Sequence, residues 1–171
     1  MNLKQIVTTA VVTACVSTVA MSQTYEKGDN LLNVGVGFGG AFGMPIGISY
    51  EHGFSDKISG GAYVGYASKK ENLIFADYKW TYILGAARAS YHFNFNVDKL
   101  DPYIGVILGY NYAKGEWDGG GSNSSWVTPS AGGVVYGGHA GARYFFSPKF
   151  GIFAEVGYGL GNANAGLAFK L

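Results

Sequence analysis

Apolar residues alternate with small or polar residues along much of this 171-residue chain, and this alternation most limits how the chain can fold. A period of two is typical of β-strands, whose successive side chains point to opposite faces. Four of the runs contain an aliphatic residue, a glycine and an aromatic residue: Val36-Gly37-Phe38, Val64-Gly65-Tyr66, Leu108-Gly109-Tyr110 and Val156-Gly157-Tyr158. A strand from Lys57 to Tyr66 would climb roughly 23 Å at a tilt near ~40°, close to the height of the apolar band of a transmembrane barrel.

The runs predict eight strands with two kinds of connection. Rising strands are expected at residues 30–38, 57–67, 101–112 and 150–159, and descending strands at residues 46–54, 80–93, 135–146 and 162–171. Connections on one side are short, whereas residues 68–79 and 113–134 are expected to form longer loops on the other side. This asymmetry is typical of outer-membrane barrels.

The two faces of these strands differ in chemistry. One face is aliphatic and aromatic, and the other is mostly Gly, Ser and Asn, with a few charged residues and histidines. A soluble barrel such as a lipocalin would turn its polar face outward, and that face should be rich in Lys and Glu. Glycine is a better lining for a narrow interior. The sequence therefore predicts an all-β, eight-stranded antiparallel up-and-down transmembrane β-barrel with its apolar face toward lipid.

The first 22 residues differ from the rest and are interpreted as a signal peptide. Lys4 precedes an apolar stretch from Ile6 to Val19, and small residues around Ser22 offer a cleavage point before Gln23. The expected organisation is a signal peptide over residues 1–22 and one barrel domain over residues 23–171. An alternative is a lipoprotein signal over Val12-Thr13-Ala14-Cys15, which would make Cys15 a lipid-modified N-terminus.

Charge and cysteine content exclude several classes of function. Without Cys15 the mature chain would contain no thiol, which excludes disulfides and thiolate metal sites. Of the 12 basic residues, all but Lys4 remain after cleavage, and they balance the 11 acidic ones. A neutral chain with no basic cluster gives no support for nucleic-acid binding.

The C-terminal segment carries the most specific motif of the chain. It reads Asn164-Ala165-Gly166-Leu167-Ala168-Phe169-Lys170-Leu171. This segment is similar to the strand signal by which the outer-membrane assembly machinery recognises its clients, although Leu171 stands where an aromatic residue is usual. With the eight runs, it makes the mature chain resemble the small outer-membrane barrels of the OmpA/OmpX type.

The resemblance implies a location and a set of partners. It implies the outer membrane of a Gram-negative bacterium, after cleavage near Ser22 and Gln23. It also implies contact with outer-membrane lipid and lipopolysaccharide, a monomeric state, and recognition by the assembly machinery. The residues that would carry that recognition are Asn164, Gly166, Phe169 and Leu171.

Four charged residues are expected to face each other across the lumen. Glu51, Arg88, Arg143 and Glu155 share the inward face and lie a few residues from the short turns. A charge in a narrow interior is costly unless it is paired, so the sequence predicts a network of ion pairs that fills and holds the barrel. An alternative is a gate, in which Arg143 exchanges partners between Glu155 and Glu51 and opens a thin water path.

No catalytic, cofactor or metal site is predicted from the sequence. Ser90 and His92 share a face, but two residues apart is a spacing common by chance, and histidines scattered over different strands do not indicate a metal site. Trp117 and Trp126 are candidate contact anchors in the outer loop, or members of the aromatic girdle at the rim. The predicted function is non-enzymatic: envelope structure, or adhesin-like surface contact through the outer loops. The alternative is a narrow porin-like channel for ions or small solutes.

Overall fold

Eight antiparallel strands form a closed barrel in the computed structural model, which describes residues 25–39, 44–73, 76–95, 97–118, 130–157 and 161–171. The strands are β1 (Asn30–Phe38), β2 (Ile46–Ser55), β3 (Ile58–Leu73), β4 (Ala76–His92), β5 (Leu100–Asp118), β6 (Ser130–Phe145), β7 (Phe150–Gly157) and β8 (Ala163–Lys170). Each strand pairs with the next, and β1 closes the barrel on β8 from Leu31 opposite Lys170 to Phe38 opposite Ala163. The predicted up-and-down barrel is confirmed.

None of the described residues belongs to a helix long and apolar enough to cross a membrane.

The outward face of the barrel is an aliphatic band between two sets of aromatic residues. The exposed aliphatic side chains are Ile46, Ile48, Val64, Ile104, Val106, Leu108, Ile152, Val156 and Leu167. The aromatic set toward the short turns is Phe54, Tyr91, Phe93, Tyr144, Phe146 and Phe150, and the set at the opposite end is Phe38, Tyr66, Tyr110, Tyr112 and Tyr136. An apolar band flanked by aromatic girdles is the exterior of a transmembrane barrel. The predicted division between an apolar outer face and a polar inner face is therefore confirmed.

Two of the predicted loops are too long, because paired strands continue into them. β3 and β4 pair as far as Leu73 opposite Ala76, where residues 68–79 were expected to form a loop. β5 continues to Asp118 and β6 begins at Ser130, within the loop expected at residues 113–134. The sequence at these positions no longer alternates between apolar and polar residues, so the hydrophobic period disappears while the backbone pairing persists.

These strand ends form a sheet that extends past the outer rim. β2 pairs with β3 only as far as Ile46 opposite Tyr66, and the next residues along that row are Ile83 in β4 and Tyr112 in β5. We call residues 67–73, 76–82, 113–118 and 130–131, which lie beyond this row, the protruding sheet. The predicted signal peptide, Cys15, Trp126 and Tyr158 lie outside the described residues.

Candidate functional site

The four charged residues predicted to face the lumen lie together, in the half of the barrel that is nearer the short turns. Alternation along β2, β4, β6 and β7 turns Glu51, Arg88, Arg143 and Glu155 inward. Arg143 Nη2 lies 2.6 Å from Glu51 Oε1, and Arg88 Nη2 lies 2.7 Å from Glu155 Oε2. Arg88 Nε lies 3.3 Å from Glu51 Oε1, an ion-pair distance that joins the two pairs, although this N–H is not aimed for a hydrogen bond.

Arg143 is the centre of this cluster. Its side chain is fully buried, and it donates from Nε to Asn33 Oδ1 at 3.1 Å, from Nη1 to Asp101 Oδ2 at 2.9 Å and from Nη2 to Glu51 Oε1 at 2.6 Å. Its guanidinium carbon lies 4.2 Å from the centre of the Tyr103 ring. The planar guanidinium holds its donors in fixed directions, so one side chain fixes three strands and an aromatic ring at once. We call Glu51, Arg88, Asp101, Arg143 and Glu155 the lumen network.

Two serines complete the hydrogen bonding of the Glu51 carboxylate. Ser59 donates to Glu51 Oε2 at 2.7 Å and Ser90 donates to the same oxygen at 2.6 Å. Glu51 is fully buried, so these bonds replace the water that its carboxylate would otherwise bind. Each of its two oxygens is therefore satisfied, one by guanidinium groups and the other by hydroxyls.

Two histidines lie beside these serines. His92 Nδ1 is 2.6 Å from Asp101 Oδ1, and His92 Nε2 is 2.8 Å from Ser59 Oγ. His139 Nε2 is 3.1 Å from Ser90 Oγ. Ser90 and His92 share a face but do not bond each other. Ser90 bonds to residues on β2 and β6, and His92 bonds to residues on the neighbouring strands β3 and β5.

A short segment before β1 covers the lumen at this end. We call residues 25–29 the N-terminal strap. The Tyr25 hydroxyl is within 2.9 Å of the Ser55 carbonyl and 2.7 Å of the Ile58 carbonyl, and the Tyr25 ring stacks on the His92 ring at 3.6 Å with 7° between their planes. Burial, followed by the nearby Asp101 carboxylate, raises the pKa of Tyr25 to about 12, so its hydroxyl stays a donor at neutral pH.

Backbone contacts fix the strap to the β2–β3 hairpin. Gly28 N–H donates to the Gly53 carbonyl at 2.9 Å, and Gly53 N–H donates to the Asp29 carbonyl at 2.8 Å. Gly28 has a φ of 91°, a left-handed conformation that glycine adopts without strain. An ion pair of 2.7 Å between Asp29 and Lys170 ties the strap to β8.

A second buried cluster lies toward the outer rim. In it Leu84 and Ala67 pack against Tyr63, Tyr82 and Val135. Between this cluster and the lumen network lies a cavity of about 20 Å³, lined in part by Ser49, Arg88 and Glu155. That volume holds about one water molecule.

The order Ser59, His92, Asp101 has the connectivity of a catalytic triad, but its surroundings do not activate the serine. In a triad the serine donates its proton to the histidine. Here Ser59 is fully buried, and its hydroxyl donates to Glu51 instead. In the described part of the chain, no group of three or more His, Cys, Asp and Glu side chains could hold a metal ion.

Sequence reasoning missed Asp101, Tyr103 and Tyr25. Asp101 and Tyr103 alternate with the outward Ile104, so parity alone would have placed both in the lumen. In the sequence, Asp101 marks only the first residue of the strand predicted at 101–112. Tyr25 precedes the first alternating run and carries no periodic signal.

The remaining predicted residues lie at the closing strand and the protruding sheet. Asn164 lines the 20 Å³ cavity, and Phe169 lies 5.5 Å from the Phe150 ring on the neighbouring strand. Leu171 is exposed at the end of β8. The backbone of Trp117 pairs with Tyr78 in the protruding sheet.

No protein-family model and no curated protein sequence matches the chain. Solved structures of outer-membrane barrels do match. The N-terminal β-barrel domain of Pseudomonas aeruginosa OprF has a TM-score of 0.58 and 18% identity, covering 85% of this chain and 98% of that one. OprG of P. aeruginosa has a TM-score of 0.55 and 16% identity, covering 86% and 98%. Ail, the attachment invasion locus protein of Yersinia pestis, has a TM-score of 0.54 and 16% identity, covering 84% and 98%.

These likenesses show the fold. The chain folds as the small eight-stranded outer-membrane barrels do, with nearly the whole of each known barrel matched. At such low identity they transfer no binding site or activity to this chain.

Proposed function

We propose that the protein is a closed, non-enzymatic barrel of the Gram-negative outer membrane, which serves envelope structure and presents its protruding sheet for surface contact. The observation that carries this proposal is the buried ion network across the lumen. Arg143 and Glu51 are fully buried in the middle of a network that joins strands from opposite sides of the barrel. Eight strands enclose an interior narrow enough for side chains to fill, and this network occupies part of it.

The protruding sheet supports the surface-contact role. Lys79 and Lys114 continue the outward faces of β4 and β5 beyond Ile83 and Tyr112. In the β4–β5 pairing the residue opposite Lys79 is Glu116, and the residue opposite Lys114 is Thr81. A sheet whose strands pair for several residues past the rim presents these lysines on a rigid element. Ail has the same fold, and its crystal structure has also been determined in complex with the heparin analogue sucrose octasulfate. A barrel of this kind can therefore bind a polyanion.

The partners proposed for this barrel follow from its surface. Its apolar belt is suited to outer-membrane lipid, and the lysines beyond the rim are suited to the phosphates of lipopolysaccharide. We propose recognition by the assembly machinery through the C-terminal strand, since an unpaired edge such as β8 must find a partner before the barrel closes in lipid. A monomer is proposed because the barrel closes on itself through β1 and β8.

Planar-bilayer conductance of the refolded mature protein distinguishes the closed barrel from the porin-like alternative. A closed barrel gives no discrete current steps in preparations shown to be folded and inserted. Steps in the wild type that change in an Arg143→Ala variant would overturn the closed barrel and favour a narrow pore gated by the lumen network.

Binding to immobilised heparin tests the surface-contact role. The wild type is expected to bind in a salt-dependent manner, and the Lys79→Glu/Lys114→Glu double variant to bind roughly 30-fold more weakly, since each lysine that contacts a polyanion contributes about 1 kcal/mol. Lys149→Glu, in the turn at the opposite end, is the matched control. Equal binding by all three proteins would rule out the protruding sheet as the contact surface.

A further inference from the structure

Ser59 cannot satisfy both of its neighbours by donation. Its hydroxyl has one proton, and the two groups within bonding distance are Glu51 Oε2 at 2.7 Å and His92 Nε2 at 2.8 Å. An ionised carboxylate only accepts hydrogen bonds, so the Ser59 proton goes to Glu51. His92 must then donate from Nε2 to the Ser59 oxygen.

The other nitrogen of His92 faces a second acceptor. His92 Nδ1 is 2.6 Å from Asp101 Oδ1, while the other oxygen of Asp101 accepts from Arg143 Nη1 at 2.9 Å. A hydrogen bond this short between the ring and the carboxylate requires a proton between them. The guanidinium on Asp101 stabilises its ionised form, and imidazole is the stronger base, so the proton belongs to the ring.

We propose that the His92–Asp101 pair is a buried proton-binding site, in which His92 is an imidazolium that donates from both nitrogens. The charge of the lumen supports this assignment. Glu51, Asp101 and Glu155 carry three negative charges, while Arg88 and Arg143 carry two positive ones. A protonated His92 makes the buried cluster neutral, which is the state that a low-dielectric interior favours.

The N-terminal strap packs directly on this proton-binding site. The groups that face the His92 ring are Tyr25 from the strap at 3.6 Å, Ser59 from β3, and Asp101 and Tyr103 from β5, with the Tyr103 ring at 5.9 Å. Asp56 borders a cavity of about 10 Å³ that is also lined by Tyr25, His92 and Asp101. An aromatic ring stacked on a cation is held more strongly than one stacked on a neutral ring. Replacing His92 with a neutral side chain would therefore weaken the attachment of the strap and uncover this end of the lumen.

His139 provides an internal reference for this assignment. Ser90 donates to Glu51 at 2.6 Å, so His139 Nε2 must donate to Ser90. That bond requires one N–H, which a neutral ring supplies. The two buried histidines are thus expected to differ in protonation within one protein.

The direct test is ¹⁵N NMR of the imidazole nitrogens in the folded, ¹⁵N-histidine-labelled protein at neutral pH. Assignments come from single His→Gln variants at positions 52, 92 and 139. The expected result is that both nitrogens of His92 carry a proton, whereas His139 carries one at Nε2. A His92 ring with a single protonated nitrogen would overturn the proposal, whichever nitrogen it is. This readout is independent of conductance and heparin binding.

Trypsin cleavage after Lys27 tests the link to the strap. At one fixed pH, the folded fraction of His92→Gln should be cut roughly 3- to 10-fold faster than the wild type, because the cation beneath Tyr25 is lost. His52→Gln, at a histidine that bonds Asn30 instead, should be cut at the wild-type rate. An unchanged rate for folded His92→Gln would disprove the link. If that variant does not fold, the NMR result on the wild type decides the proposal.

Discussion

At the scale of single residues, Arg143 is the side chain on which the barrel depends most. Arg143→Ala is expected to lower the free energy of unfolding by about 3–5 kcal/mol, since it leaves Glu51 and Asp101 buried without their shared cation. Arg143→Lys should recover only part of the loss, because one ammonium cannot reproduce the fixed directions of a guanidinium. Urea unfolding of the refolded protein in lipid vesicles, followed by circular dichroism, measures both effects.

The ion pair between Lys170 and Asp29 is the matched comparison for Arg143. It joins oppositely charged side chains 2.7 Å apart at the edge of the barrel, where they keep 15% and 17% of their surface exposed, against 0% for Arg143 and Glu51. Because water still reaches both groups, Lys170→Gln is expected to cost less than Arg143→Ala, about 1–2 kcal/mol. If Arg143→Ala cost no more than Lys170→Gln, the lumen network would not be what holds the strands together.

At the scale of strands, the two-residue alternation of apolar and polar residues predicted all eight strands but not the length of each strand. Alternation persists only where one face meets lipid, so it located the membrane part of β3 to Tyr66 and missed the extension to Leu73. The same parity placed Glu51 and Arg143 in the lumen. It could not say which acid each arginine meets, because that depends on the stagger between strands.

Two glycines on neighbouring strands give a prediction about strand packing. A Cβ added at Gly61 in β3 would run into the backbone carbonyl of Tyr50 in β2, whereas one added at Gly85 in β4 would meet nothing within 4 Å. Gly61→Ala should cost about 1–3 kcal/mol of unfolding free energy because backbone must shift. Gly85→Ala should change it by less than about 0.5 kcal/mol. Equal effects in the same urea experiment would show that β2 and β3 do not approach this closely.

At the scale of the whole molecule, the depth of each outward residue in the bilayer decides what a charge there costs. Val106 lies at the middle of the aliphatic band and is 63% exposed, while Tyr112 belongs to the aromatic set at the outer rim and is 44% exposed. Val106→Arg should therefore cost about 2–4 kcal/mol and Tyr112→Arg about 0–1 kcal/mol when unfolding is measured in vesicles. In detergent micelles, which adapt to the protein, the difference in unfolding free energy between the two variants should be smaller. A gap of the same size in both media would mean that packing within the barrel, rather than burial in lipid, sets the cost.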